Sequence, residues 1–94
     1  MKGHKYQFTI EHLEDNKGNA IAASPLSFEL RNNEDLFHIV SQMKGKLELS
    51  DDEATEFAIG LKLFGQVLIN HRNHPTFKAL KPHFTEFMKA VKNN

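Results

Sequence analysis

Three histidines in the C-terminal half of the chain are the residues best suited to chemistry. His71 and His74 are separated by two residues, and His83 follows nine positions after His74. Imidazole nitrogens bind zinc and similar ions, and three protein ligands with one water form the usual catalytic zinc site. The three histidines are therefore candidate ligands for a metal ion or a small anion.

The spacing of the histidine pair weakens the metal hypothesis. Two histidines that share a metal on one helix usually stand at i and i+4, as in the His-Glu-x-x-His pattern. Here His74 comes at i+3 and is followed by Pro75, which pushes the preceding residue out of the helical region. Two surface histidines at the end of a helix are the simpler interpretation. We expect no bound metal and no other cofactor.

No other part of the sequence carries a catalytic motif. The serines lack a Gly-x-Ser-x-Gly setting, and the chain contains no cysteine nucleophile. Gly60 and Gly65 have the spacing of a phosphate-binding loop but lack the Lys-Ser or Lys-Thr that must follow. We predict that the protein is not an enzyme, and we assign no catalytic or cofactor-binding residue.

Charge is unevenly distributed along a chain whose 12 basic and 12 acidic residues cancel. Residues 29–56 contain eight acidic and three basic side chains, whereas residues 57–94 contain six basic side chains and one acidic. Matching of charges to helix dipoles explains this order. A basic C-terminal region with Phe77 and Phe84 also leaves weak nucleic-acid binding as a further alternative, although the bases are spread over several elements.

Length and composition predict one globular domain over residues 1–94. The chain is too short to divide its 39% hydrophobic residues between two cores. No secretory signal is visible at the N-terminus. The longest apolar stretch, residues 57–69, is shorter than the roughly 20 residues of a membrane span. We expect a cytoplasmic protein that does not enter membranes.

The N-terminal third predicts an antiparallel β-hairpin. Apolar and polar residues alternate over residues 6–11 and again over residues 26–31, which is the pattern of half-buried strands. Between them, Lys17-Gly18-Asn19 suits a turn with a positive φ angle. The two strands should share one apolar face.

A first helix should follow the hairpin, with Asn32 or Asn33 as its N-cap and Gly45 as its stop. Residues 46–49 are either a short third strand or a connector. Ser50 and Glu53 then form a capping box, which predicts the start of a second helix that ends near Arg72. This helix is apolar over most of its circumference, so we expect it to be central and buried.

The C-terminal residues predict further helical structure that begins at prolines. Pro75 should open a short helical turn with Phe77 and Leu80, and Pro82 should open a final helix. The expected fold is therefore α+β, with the hairpin and a possible third strand packed on three to four helices around the central one.

Several short sequences together resemble a known family. These are Lys2-Gly3-His4-Lys5-Tyr6, Gly60-Leu61-Lys62-Leu63-Phe64-Gly65, Asn73-His74-Pro75 and Pro82-His83-Phe84-x-x-Phe87. The chain is similar over nearly its whole length to a family of short bacterial proteins known only as a domain of unknown function. The resemblance implies a small α+β protein and supplies no activity, cofactor or site.

The leading functional hypothesis is a non-enzymatic protein-interaction module with an unidentified protein partner. Its binding surface would be the exposed edge of the hairpin or a C-terminal face formed by His71, Arg72, His74, Lys78 and Lys81. The rival hypothesis is the metal or small-anion site at His71, His74 and His83. We expect a monomer or a weak homodimer.

Overall fold

The computed structural model describes residues 2–94 and confirms the α+β class. In that range the elements are β1 (His4–Ile10), β2 (Leu26–Asn32), α1 (Leu36–Met43), α2 (Asp51–Asn70) and α3 (Pro75–Lys92). Strands β1 and β2 form a two-stranded antiparallel sheet. None of the helices in residues 2–94 combines the length and hydropathy that crossing a bilayer requires.

The strand register places the hairpin's apolar residues on one face, as the alternation predicts. Phe8 pairs with Phe28 and Ile10 pairs with Leu26. The rings of Phe8 and Phe28 stack with centroids 5.7 Å apart. At the turn, Gly18 has a φ of 85°, which confirms the predicted positive φ angle. Cross-strand aromatic pairs of this kind stabilise the register of a sheet.

The first helix is capped by a different residue from those the sequence suggested. Asp35 is the N-cap of α1, and its side chain accepts hydrogen bonds from the backbone N–H groups of Phe37 and His38. Asn32 is instead the last residue of β2 and is 2% exposed. The prediction of Asn32 or Asn33 as the cap was wrong because the strand continues further than the alternation indicated.

Buried Asn32 joins the hairpin to the helices. Its side-chain Nδ2 donates to the carbonyl oxygen of Lys62 at 3.0 Å, and its Oδ1 accepts from the backbone N–H of Glu34 at 3.0 Å. The Tyr6 hydroxyl adds a second link, since it donates to the Glu34 carbonyl and accepts from the Leu36 N–H, both at 2.9 Å. The base of the hairpin is thus fixed to α1 and α2.

Residues 46–49 form a turn and not a third strand. Gly45 ends α1 with a φ of 81°, as predicted, and Leu47 and Glu48 then have φ angles of 56° and 58°. Two successive residues in the left-handed region cannot lie in an extended strand. Leu47 and Leu49 still pack against the core cluster of Met43, Ala54, Ala58 and Val91.

The α2 helix begins as predicted but is less enclosed than expected. Ser50 is its N-cap, and both hydrogen bonds of the capping box with Glu53 are present. Ala54, Ala58 and Leu68 are buried, whereas Phe64 and Ile69 are 47% and 54% exposed. The expectation of a central buried helix is therefore not confirmed, because α1 and α3 leave part of the apolar surface of α2 uncovered.

The C-terminal segment is one helix that continues through Pro82, where two helical pieces were expected. Its half-buried and buried residues recur at helical spacing on both sides of the proline, at Phe77, Leu80, Phe84, Met88 and Val91. One continuous apolar stripe favours one helix. Proline has no N–H group, so the carbonyl oxygen four residues before Pro82 lacks its usual helical donor. Pro82 is exposed, so water can donate to that oxygen instead.

Replacing Asn32 by Ala should lower the free energy of unfolding by about 1 to 3 kcal/mol, because the substitution removes a buried side chain together with the two hydrogen bonds that it makes to Lys62 and Glu34. Urea denaturation followed by circular dichroism would measure the loss. Asn33→Ala is the matched control, since Asn33 bonds Gln66 through its backbone N–H and its side chain is exposed. Equal stability of the two variants would contradict the role assigned to Asn32.

The capping box predicts a second effect on stability. Ser50→Ala should cost about 1 kcal/mol, because the Glu53 N–H loses its acceptor. Hydrogen bonds from Ser50 hold the pKa of Glu53 below its usual value. The stabilisation from the Glu53 charge is therefore present above the carboxyl's unfolded pKa and is lost as the pH falls through its folded pKa.

The charge effect can be measured by comparing Glu53→Gln with the wild type across a pH series. Wild type should be the more stable protein at neutral pH, and the gap should close in acid, where the glutamic acid is also uncharged. A gap that is constant with pH would show that the charge of Glu53 does not contribute.

Candidate functional site

The connection between α2 and α3 holds the predicted histidine pair. His71 is the C-cap of α2, and its backbone N–H donates to the carbonyl oxygen of Val67 at 3.0 Å. His74 is the N-cap of α3, where its Nδ1 accepts from the backbone N–H of Thr76 at 3.2 Å. Both residues thus lie at helix ends, and one nitrogen of His74 is already engaged in capping.

The two histidine rings flank a phenylalanine. The ring centroid of Phe77 lies 5.2 Å from that of His74 and 6.3 Å from that of His71. His83 lies further along α3 and is exposed. In residues 2–94, no group of three histidine, aspartate or glutamate side chains is placed to hold a metal ion. The geometry thus does not bring His71, His74 and His83 together as one ligand set.

The predicted C-terminal interaction face is divided between two depressions. All five of its residues are exposed: His71, Arg72, His74, Lys78 and Lys81. His71, Arg72 and His74 line an open depression at the corner between α2 and α3. Arg72 also lines a second, more enclosed groove together with Lys81, while Lys78 lines neither depression. The five residues are thus all exposed and polar, but they do not line one common depression.

The more enclosed groove lies where the base of the hairpin meets α2 and α3 and has a volume of about 370 Å³. Its walls are mainly apolar and include Leu61, Phe84 and Met88. Gly65 lies beside the Phe84 ring: a Cβ atom at that position would lie 3.6 Å from the ring, an ordinary van der Waals distance. Cavities of roughly this size are typical of binding sites for small organic molecules.

The polar groups at the base of the groove are already paired. Gln66 accepts the backbone N–H of Asn33 through Oε1 at 3.0 Å and donates to Asn70 through Nε2 at 3.0 Å. Asn32, which also lines the groove, bonds Lys62 and Glu34 as described above. The groove therefore has a rigid base.

The outer part of the hairpin presents a second surface. Ile10, Leu26 and Phe28 lie on one face of the sheet and are 52%, 59% and 38% exposed. We call these three residues the outer hairpin face. The opposite face is polar, with a Thr9–Ser27 hydrogen bond of 3.0 Å and a Lys5–Glu29 ion pair of 3.3 Å. The sheet is amphipathic, and the outer part of its apolar face is exposed to solvent.

Sequence reasoning missed the groove and the exposure of the hairpin for related reasons. Helical periodicity assigned Phe84 and Met88 to the core, and strand alternation assigned Ile10 and Phe28 to a buried face. Periodicity identifies which residues share a face, but it does not state how much of that face another element covers. The two glycines of α2 gave no reliable signal, because an added Cβ atom would meet nothing within 4 Å at Gly60 and only an ordinary van der Waals contact at Gly65.

The capping role of His74 predicts which substitution is tolerated. His74→Ala should lower the free energy of unfolding by about 1 kcal/mol, whereas His74→Asn should preserve stability, because asparagine is also a good N-cap acceptor. Thermal denaturation would show the difference. His71→Ala is the control: His71 caps through its backbone, so its stability should stay within about 0.5 kcal/mol of wild type. Equal losses for His74→Ala and His74→Asn would contradict the capping role.

Comparisons with known proteins identify the family of the chain. No curated protein matches it. A solved structure that it resembles is a protein of unknown function from Pectobacterium atrosepticum, with 34% sequence identity and a TM-score of 0.83. The match covers 98% of this chain and 99% of that one. The model of a domain of unknown function, DUF3861, matches residues 4–93. The expected resemblance is thereby confirmed, and the chain belongs to the DUF3861 family.

Proposed function

We propose that this protein is a non-enzymatic interaction module that binds another protein through its hairpin. The observation that carries the proposal is the outer hairpin face, where Ile10 and Leu26 form a cross-strand pair and both are more than half exposed. A pair of large aliphatic side chains at an open sheet face loses the stabilisation that burial would provide. A protein partner would supply that burial.

The sheet itself also favours a partner. A two-stranded hairpin is marginally stable in water unless a third strand or a packed element supports it. Here Asn32 and Tyr6 support the base of the hairpin through their hydrogen bonds. The sheet of the described residues has two strands, and its outer half is exposed at Ile10 and Leu26. The radius of gyration of 15.6 Å exceeds the roughly 12 Å of a compact domain of this length, in keeping with a hairpin that extends from the body.

The type of partner follows from the two faces of the hairpin. The strands have backbone groups along their outer edges that can pair with an added strand. A partner strand with alternating apolar and polar residues would extend both the apolar face and the polar face. We therefore propose that the partner contributes an amphipathic strand, which a second copy of this hairpin would also provide.

Two carboxyl groups have a lowered pKa, and in both the cause lies in the fold. Catalytic sites usually contain groups whose pKa is shifted to suit a reaction. The two carboxyls with a lowered pKa have structural causes: backbone N–H groups of Asn19 and Lys17 bond Asp15 in the hairpin turn, and Ser50 bonds Glu53 in the helix cap. Folding accounts for both shifts.

Leu26→Glu tests the proposed surface by placing a charge on the outer hairpin face. Ser27→Glu is the matched control, because the neighbouring residue lies on the opposite, polar face. Proteins captured by tagged wild type would be compared with those captured by the two variants, and self-association would be measured by sedimentation. Each captured protein would then be purified, and its affinity measured directly.

We expect at least one partner, or a second copy, that binds wild type and Ser27→Glu but binds Leu26→Glu at least about tenfold more weakly, since burial of an unpaired charge is costly. Hydrogen exchange should show new protection of β1 or β2 amides in the complex. If Leu26→Glu binds every partner as well as wild type, the hairpin is not the binding surface.

A further inference from the structure

We infer that the groove between the hairpin base, α2 and α3 is a binding site for a small amphipathic carboxylate, meaning a molecule with one carboxylate and an aliphatic or aromatic tail. This groove is separate from the outer hairpin face, because Ile10, Leu26 and Phe28 do not line it. Binding of a small carboxylate in the groove is therefore independent of the proposed binding of a protein to the hairpin, and each can be tested without the other.

The walls of the groove fit an apolar tail. Leu61 comes from α2, and Phe84 and Met88 come from α3, so both helices contribute apolar side chains to the groove. Each of these three side chains is only partly buried by the protein itself. A tail between them would remove further apolar surface from water, which is the main source of affinity in sites of this size.

The charges at the groove fit an anionic head group. Three basic residues line it, Lys62, Arg72 and Lys81, whereas Glu34 is the single acidic one. Within residues 2–94, neither Arg72 nor Lys81 lies within 4.0 Å of a carboxylate oxygen. An arginine guanidinium can bind both oxygens of one carboxylate, and a lysine adds a second positive charge. Apolar walls with excess positive charge are complementary to an amphipathic anion.

The head group is better matched by a carboxylate than by a phosphate. Phosphate sites typically use several free backbone N–H groups at a helix start or a glycine-rich loop. At this groove, the backbone N–H groups of Asn33 and Glu34 already donate to Gln66 and Asn32. The recognition of an anion here would therefore depend on the side chains of Arg72 and Lys81.

Octanoate and the neutral 1-octanol are the probes that test this site. Both would be titrated into the full chain, with backbone amide signals followed by NMR. We expect saturable shifts at the amides of Leu61, Gly65 and Phe84, with octanoate binding at least about tenfold more tightly than octanol, since a charge-assisted contact is lost in the alcohol. Arg72→Gln should reduce octanoate affinity toward that of octanol, while Lys62 and Lys81 retain part of the positive charge at the groove.

Two control variants separate the groove from other surfaces. Lys92→Gln removes a basic residue that does not line the groove, so it should leave octanoate affinity unchanged. Leu26→Glu should also leave it unchanged, which distinguishes this site from the protein-binding surface. The inference is overturned if octanoate produces no saturable shifts, if it binds no better than octanol, if its shifts map to the hairpin, or if Arg72→Gln binds it as well as wild type.

Discussion

The rest of the structure depends on the buried side chain of Asn32. This residue ends β2, donates to the carbonyl oxygen of Lys62 in α2, and accepts the backbone N–H of Glu34 just before α1. A buried amide stabilises a fold only when its donor and acceptor are both satisfied, so its two bonds define the relative positions of strand, turn and helix. Tyr6 reinforces the junction from β1 through its own pair of hydrogen bonds at the start of α1.

The hairpin is fixed to the helices at its base only, which explains why its strands are well paired while the apolar face of its outer half is exposed. The hydrogen bonds of Asn32 and Tyr6 lie at its base, and the stacked pair of Phe8 and Phe28 maintains the register further out. Beyond that pair, Ile10 and Leu26 are more than half exposed in the part of the chain that the structure describes. The same junction contributes to the groove, because Asn32 and Asn33 line it. One buried contact thus positions both surfaces to which we assign binding.

The two surfaces suit different classes of ligand for physical reasons. The outer hairpin face is flat and has strand edges with backbone groups, which favours another polypeptide. The groove is concave, apolar and lined by more positive than negative charge, which favours a small anion with an apolar tail. The histidines that first suggested a metal site contribute to neither surface, since His71 and His74 flank Phe77 at the ends of two helices.

The hairpin, the turn at Gly18, the stop at Gly45 and the capping box at Ser50 could be predicted from the sequence, because each follows from local backbone preferences or side-chain alternation. The sequence did not determine that residues 46–49 form a turn, that α3 continues through Pro82, or that Asn32 is a buried junction. These features depend on contacts between distant residues, such as Asn32 with Lys62 and Phe84 with Gly65. The tertiary structure alone decided which apolar faces stay uncovered, because coverage depends on how the elements pack and not on their periodicity.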